Sequence, residues 1–170
     1  MKNASHHIAQ IAISRAKAPL DQPIMQPFVE QLQFINEVAD RSPGFIWRLQ
    51  SDEGNATAFR AFKDPLILLN MSVWESIETL FDYVYKSAHV VPFRNRRQWF
   101  EKVEGSPLVL WWVPVGHRPT IEEAKERLDL LNAEGPSPTA FTFRKRFPPP
   151  TLAETEDGER YGSRVAVKSS

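Results

Sequence analysis

His89 closes the stretch YVYKSAH, and His117 stands in PVGHRPT between a strand and a helix start. A neutral imidazole can act as a general base or as a ligand to haem iron. Around His89 the aromatic residues Tyr83, Tyr85, Trp99 and Phe100 make a neighbourhood that suits a planar ligand. The same histidine also reads as a structural residue near a helix C-terminus, held by the dipole and the exposed carbonyls. His117 can donate into a pocket at the strand's end, or it can brace its loop through a backbone carbonyl. His6 and His7 are adjacent, and adjacent strand residues point apart, so they do not chelate. No H-x-x-x-H, H-x-E or carboxylate cluster has metal-ligand spacing, so no dedicated metal site is expected beyond His89 holding a haem.

Polar residues inside apolar strands form the second set of candidates. Arg48 shares a strand with Phe45 and Trp47, where it is either on an exposed face or a polar anchor in a cavity. Asn70 interrupts LLNMSVW, and a buried amide there needs hydrogen-bond partners. Alternation puts Asn70, Ser72 and Trp74 on one face, continued by Leu66 and Leu68. The chain has 5 tryptophans, more than a small core needs, so some can line a cavity or a dimer seam. With His89 as the catalytic candidate, Arg48, Asn70, Trp74, Tyr85, Trp112 and His117 are the candidate substrate-binding residues. Arg94, Arg96 and Arg97 read as a solvated helix face near Glu101 and Glu104. Neither G-x-S-x-G nor a glycine-rich phosphate loop occurs.

Positioning these residues needs a sheet and helices. HIAQIAIS reads as the first strand. A helix follows, capped at Asp21 or Gln22 with Pro23 in its first turn, and carries Ile24, Phe28, Leu32, Ile35 and Ala39 at helical spacing. It must stop near Arg41, because Ser42 precedes Pro43. PGFIWRLQ is the next strand, with Phe45, Trp47 and Leu49 on one face. ATAFRAF is a short extra strand or an irregular hairpin extension. LILLNMSVW is the most apolar strand, and a second helix starts at Ser76. HVVPFRNRRQWFEKV reads as a further helical piece broken near Pro92, with Phe93, Phe100 and Val103 inward. In LVLWWVPV, Trp111 and Trp112 must look to opposite faces. Thr120 and Glu123 form a T-x-x-E capping box for a third helix lined by Ile121, Ala124, Leu128 and Leu131. AFTFRKRF is a last short strand.

The core order is β-α-β-β-α-β with an extra C-terminal helix and strand, which is the ferredoxin-like α+β arrangement. Helices cover one sheet face, and a second copy of the sheet is the simplest cover for the other. One domain over residues 6–150 and a disordered tail over 151–170 are expected.

Composition narrows the function. The 170 residues carry 21 basic and 21 acidic side chains, so no electrostatic footprint for nucleic acid or an anionic membrane is present. There is no cysteine, which removes disulfides and thiolate chemistry and fits a reducing cytoplasm. The N-terminus has no apolar run of signal-peptide length, and a cytoplasmic location is expected.

Taken together, SPGFIWRLQ, NMSVWESIETLFDYVYKSAH, RNRRQWFE and LVLWWVPVGHRPTIEEAKERL resemble a bacterial family known as a domain of unknown function. The resemblance runs from about His6 to Pro150. That family is placed in the dimeric α+β barrel superfamily, whose layout is similar to that of antibiotic-biosynthesis monooxygenases and haem-degrading monooxygenases. The resemblance implies a homodimer with a cavity between sheet and helices. It further implies an oxygenase-like enzyme acting on a small hydrophobic or aromatic molecule. The alternatives are a non-catalytic small-molecule-binding dimer, or a haem-binding protein in which His89 holds the iron. The cofactor is accordingly haem or none.

Overall fold

The computed structural model describes residues 5–51, 54, 56–57, 59–87 and 96–151. Strand β1 (His6–Ala16) is followed by a single 3-10 turn (Pro23–Met25) and helix α1 (Gln26–Arg41). Strand β2 (Phe45–Arg48) and strand β3 (Ile67–Trp74) come next, then helix α2 (Ile77–Lys86). A 3-10 turn (Arg96–Gln98) leads into the two-residue strand β4 (Phe100–Glu101), then β5 (Leu108–Pro114) and helix α3 (Ile121–Glu134).

The strands form one antiparallel sheet ordered β2-β3-β1, with β5 and β4 sharing the far edge of β1. Counting β5 as the fourth long strand gives 4-1-3-2, the ferredoxin-like order. Trp112, Ile8, Trp74 and Phe45 line up across the sheet as one row. Leu110, Gln10, Ser72 and Arg48 make the next row, and Leu108, Ala12 and Asn70 the third.

These rows belong to the face that meets α1 and α2, where Ile8, Trp74 and Leu110 cluster with Ala39, Ile77, Leu80 and Phe141. The opposite face carries Ala9, Ile11, Met71, Val73, Val109, Trp111 and Val113, packed against Ala124, Leu128 and Leu131 of α3. The two tryptophans therefore divide as alternation requires, Trp112 toward α1 and α2, Trp111 toward α3. The cover that sequence reasoning assigned to a second copy is supplied by the chain itself.

Local chemistry sets the element ends. Ser76 Oγ accepts from Thr79 N, and Thr79 Oγ1 accepts in return from Ser76 N, so α2 opens on a reciprocal box. Thr120 accepts from Glu123 N at 3.1 Å, but the Glu123 carboxylate turns elsewhere, so only half the expected box forms at α3. The turn at Pro23 has no side-chain cap from Gln22. Gly44 carries φ +81 between α1 and β2, and a Cβ there would lie 2.5 Å from Thr79 Oγ1. That close approach lets β2 run beside the start of α2, with Glu75 N donating to Gly44 O at 2.8 Å.

Several sequence expectations are corrected. Phe45 pairs with Trp74 and Trp47 with Val73, so a β-bulge at Ile46 puts Phe45 and Trp47 on opposite faces. Trp47 and Leu49 do pack together, on the α3 side. Of the two readings of ATAFRAF, its described part shows the irregular one: it forms no strand, and Phe59 and Phe62 pack against the α3-side core. Phe100 lies in a strand rather than a helix, because Ala16 and Arg15 at the end of β1 offer an open edge that it pairs with. Trp99 is buried with Ala16, Met25 and Leu68. Phe141 makes a one-residue bridge to Leu110 in place of the last strand, with Leu110 N and Phe141 N each donating to the other's carbonyl. The proposed tail lies outside the described residues from position 152 onward, as do Phe93, Arg94 and His89.

Candidate functional site

The α1/α2 face of the sheet is not closed over its whole length. Within α1 only Ala39 is buried, and within α2 only Ile77 and Leu80. Phe28, Leu32 and Ile35 of α1 are half-buried, and Ile24 is exposed, so the apolar stripe read from the sequence covers the sheet only in part. Along the third row the floor opens to solvent: Asn70 is exposed, and Ala12, Ser14 and Leu108 are half-buried.

A polar chain crosses this floor. Gln10 Nε2 donates to Asn70 Oδ1 and to Ser72 Oγ, both at 2.8 Å. Trp74 Nε1 donates to the same Ser72 Oγ at 2.9 Å. Gln10 is only 4% exposed, and its Oε1 has no hydrogen-bond partner. An unpaired buried acceptor of this kind costs about 1–3 kcal/mol, so its retention calls for a reason. In the sequence Gln10 is the one amide inside the apolar HIAQIAI, the same signal that marks Asn70.

Trp74 is fully buried, not a wall residue facing open space. Its ring stacks on Tyr83 with centroids 4.9 Å apart and meets Phe45 edge-on at 5.4 Å. Its role in the floor is to fix Ser72. Burial holds the Tyr83 phenol well above its ordinary range; the Arg48 charge opposes this and the Asp40 charge adds to it. Arg48 lies beside Ser72 but turns to α1, where its Nε donates to Asp40 at 2.7 Å, and Nη1 reaches Gly54 O at 2.6 Å. Trp112 is half-buried, with its Nε1 donating to Phe147 O at 2.9 Å.

Arg48, Asn70, Trp74 and Trp112 thus share one sheet face, as the candidate set required. His117 does not join them. It lies past β5 on the α3 side, its Nε2 2.7 Å from Glu123 Oε2, while Glu123 Oε1 accepts from the buried Trp111 indole at 3.1 Å. This side-chain brace replaces the backbone carbonyl that the sequence suggested. Tyr85 is exposed on α2 and contacts Phe81 and Phe143. Tyr83, Tyr85 and Trp99 belong to three separate clusters, so they do not form one wall for a planar ligand. Glu101 pairs with Arg15 at the end of β1.

A separate apolar hollow of about 160 Å³ lies at the end of β1, lined by Ala16, Leu20, Leu66 and Leu68 among others, and holds none of the candidate residues. Among the described residues no group of three or more His, Asp or Glu side chains could hold a metal. No helix among them is long and apolar enough to cross a membrane. The amides and hydroxyl of the floor are poor iron ligands.

The fold and this floor define a ferredoxin-like α+β domain with a polar strip on the sheet face that meets α1 and α2. The chain belongs to the family DUF3291, a domain of unknown function, whose model matches residues 7–157. Two solved structures from Nitrosomonas europaea are similar to it. One is titled "Putative antibiotic biosynthesis monooxygenase", at 15% identity and TM-score 0.44, covering 71% of this chain and all (100%) of that one. The other is a protein of unknown function, at 10% identity and TM-score 0.43, covering 68% and 95%. No protein with a curated description matches the chain.

Proposed function

We propose that this domain binds a small hydrophobic or aromatic molecule on the α1/α2 face of its sheet. The observation that carries the reading is Asn70, an exposed amide in the middle of the sheet, in one row with the apolar Ala12 and Leu108. Sites of this kind combine apolar walls with a few fixed polar groups that orient the ligand. The half-buried Leu108 and Trp112 supply apolar surface, and Asn70 supplies polarity.

A second step of the same reading is oxygenase-like turnover, in which a substrate with a weak ring C–H is held for reaction with oxygen. His89 is its candidate base, on sequence position alone. A homodimer is part of the proposal. Since α3 covers the other sheet face, pairing would use exposed apolar residues such as Ile24, Phe34 and Ile46 on the α1–β2 side. The cysteine-free sequence supports a cytoplasmic setting.

The test is to denature the purified protein and identify what it releases by mass spectrometry. An aromatic compound is expected from the wild type and not from Ala12→Phe, which fills the floor between Leu108 and Asn70. Equal retention by both, or no binding of any aromatic panel member, would overturn the site. Oxygen uptake with quinol- or anthrone-like substrates separates an enzyme from a binding module. A Soret band on adding haemin, lost in His89→Ala, would indicate haem; no band removes that alternative. Light scattering showing a monomer at micromolar concentration would contradict the dimer.

A further inference from the structure

The apolar hollow at the end of β1 has a charged group in its wall that nothing above uses. Ala16 ends β1, Leu66 and Leu68 flank the start of β3, and Ala18 and Leu20 come from the loop after β1. At about 160 Å³ the hollow is the size of an apolar cavity that accepts benzene. Among the described residues, Arg60 is the one charged member of its wall. Arg60 is exposed, an arrangement in which the stem lies on apolar surface and the head stays in water. Its Nη1 donates to Thr57 O and Phe59 O, two neutral carbonyls that leave the charge unmet. Nε and Nη2 have no partner among the described residues. That edge of the guanidinium is a planar fork that takes a carboxylate through two parallel bonds. Asp64, the described acid nearest in sequence, is committed elsewhere: Arg15 Nε donates to it at 2.7 Å and Leu66 N at 2.9 Å.

We infer that this hollow binds a small monocarboxylate with an apolar body of about six carbons. The body fills the hollow, and the carboxylate accepts from Arg60 Nε and Nη2 at its mouth. One cation on an apolar wall matches one negative charge. A phosphate monoester carries close to two and needs further donors, which this wall lacks. The site is separate from the floor around Asn70 and does not rest on that reading.

The probes are hexanoate, 1-hexanol, hexylamine and acetate, titrated into the wild-type full chain by calorimetry near neutral pH. Hexanoate should bind at least about tenfold more tightly than hexanol and hexylamine, which lack the carboxylate, and than acetate, which lacks the body. Arg60→Gln, at an exposed side chain, should erase the advantage over hexanol. Ala18→Phe, at a half-buried wall position, should fill the hollow and abolish hexanoate binding. The comparison of probes on the wild type stands even if this variant folds poorly. Equal binding of hexanoate and hexanol would overturn the role of Arg60, and tighter binding of hexylamine would overturn it by reversing the charge. Undiminished hexanoate binding in a folded Ala18→Phe would put the acid outside the hollow and overturn the site. Binding of none would overturn the inference, while the Ala12→Phe comparison still decides the Asn70 floor by itself.

Discussion

Gln10 and Asn70 lie on neighbouring strands of one sheet, joined at 2.8 Å from Nε2 to Oδ1, with Gln10 buried and Asn70 exposed. The pair links the interior of the sheet to solvent through two amides. A structural amide pair would be closed at both ends, and this one is open to solvent at Asn70. That opening is why the α1/α2 face, and not the α3 face, is read as the functional one.

The brace on the α3 side gives a contrasting prediction. Glu123 accepts from the Trp111 indole and faces His117. Glu123→Leu leaves a buried N–H unpaired and should cost about 1–3 kcal/mol in urea unfolding. Glu123→Gln keeps an acceptor for the indole and should cost less, and His117→Ala, at an exposed pair, about 0–1 kcal/mol. None of the three should change the affinity for an aromatic ligand. A loss of binding in His117→Ala with stability intact would return that histidine to the site.

Gly44 has a backbone role that no side chain can take. Its φ of +81 and the closeness of Thr79 act together. Gly44→Ala should destabilise by at least ~1–2 kcal/mol from the backbone term alone, read as a lower urea midpoint at unchanged slope. A neutral result would mean that the β2–α2 corner shifts freely.

Tyr83 offers a spectroscopic check of the packing under Trp74. The chain has 3 tyrosines. Burial raises the Tyr83 phenol, so the native state keeps its proton where the unfolded state, with a phenol pKa of about 10, loses it. Its contribution to stability is present below the unfolded value and declines as pH rises beyond it. Tyrosinate absorbance should therefore show one late step that coincides with alkaline unfolding. Tyr83→Phe should remove that step. Its persistence in the variant would contradict the burial.

Much of this architecture was legible in the sequence because hydrophobic period and caps agree. The turn at Pro43, the Ser76 start of α2, and the opposed faces of Trp111 and Trp112 follow from local rules. What was missed depends on partners distant in sequence. The bulge at Ile46 exists because Phe45 and Trp47 register against Trp74 and Val73, which pattern alone does not reveal. Phe100 became a strand because the end of β1 had an open edge. Glu123 fits a capping box locally, but Trp111 and His117 compete for its carboxylate and win. Asn70 stands out as a polar residue in an apolar strand, and Gln10 is in the same situation one strand over. Its meaning appears only when Asn70 and Ser72 are seen to use its amide nitrogen and leave its oxygen alone.

The most direct measurement is nuclear magnetic resonance of the ¹⁵N-labelled protein titrated with 2-naphthol. The side-chain amide signals of Gln10 and Asn70 and the indole signal of Trp112 should move together and saturate, while the Trp111 indole stays in place. Saturating shifts at Trp111 and His117, with Gln10 and Asn70 unmoved, would place the ligand on the α3 face and contradict the account.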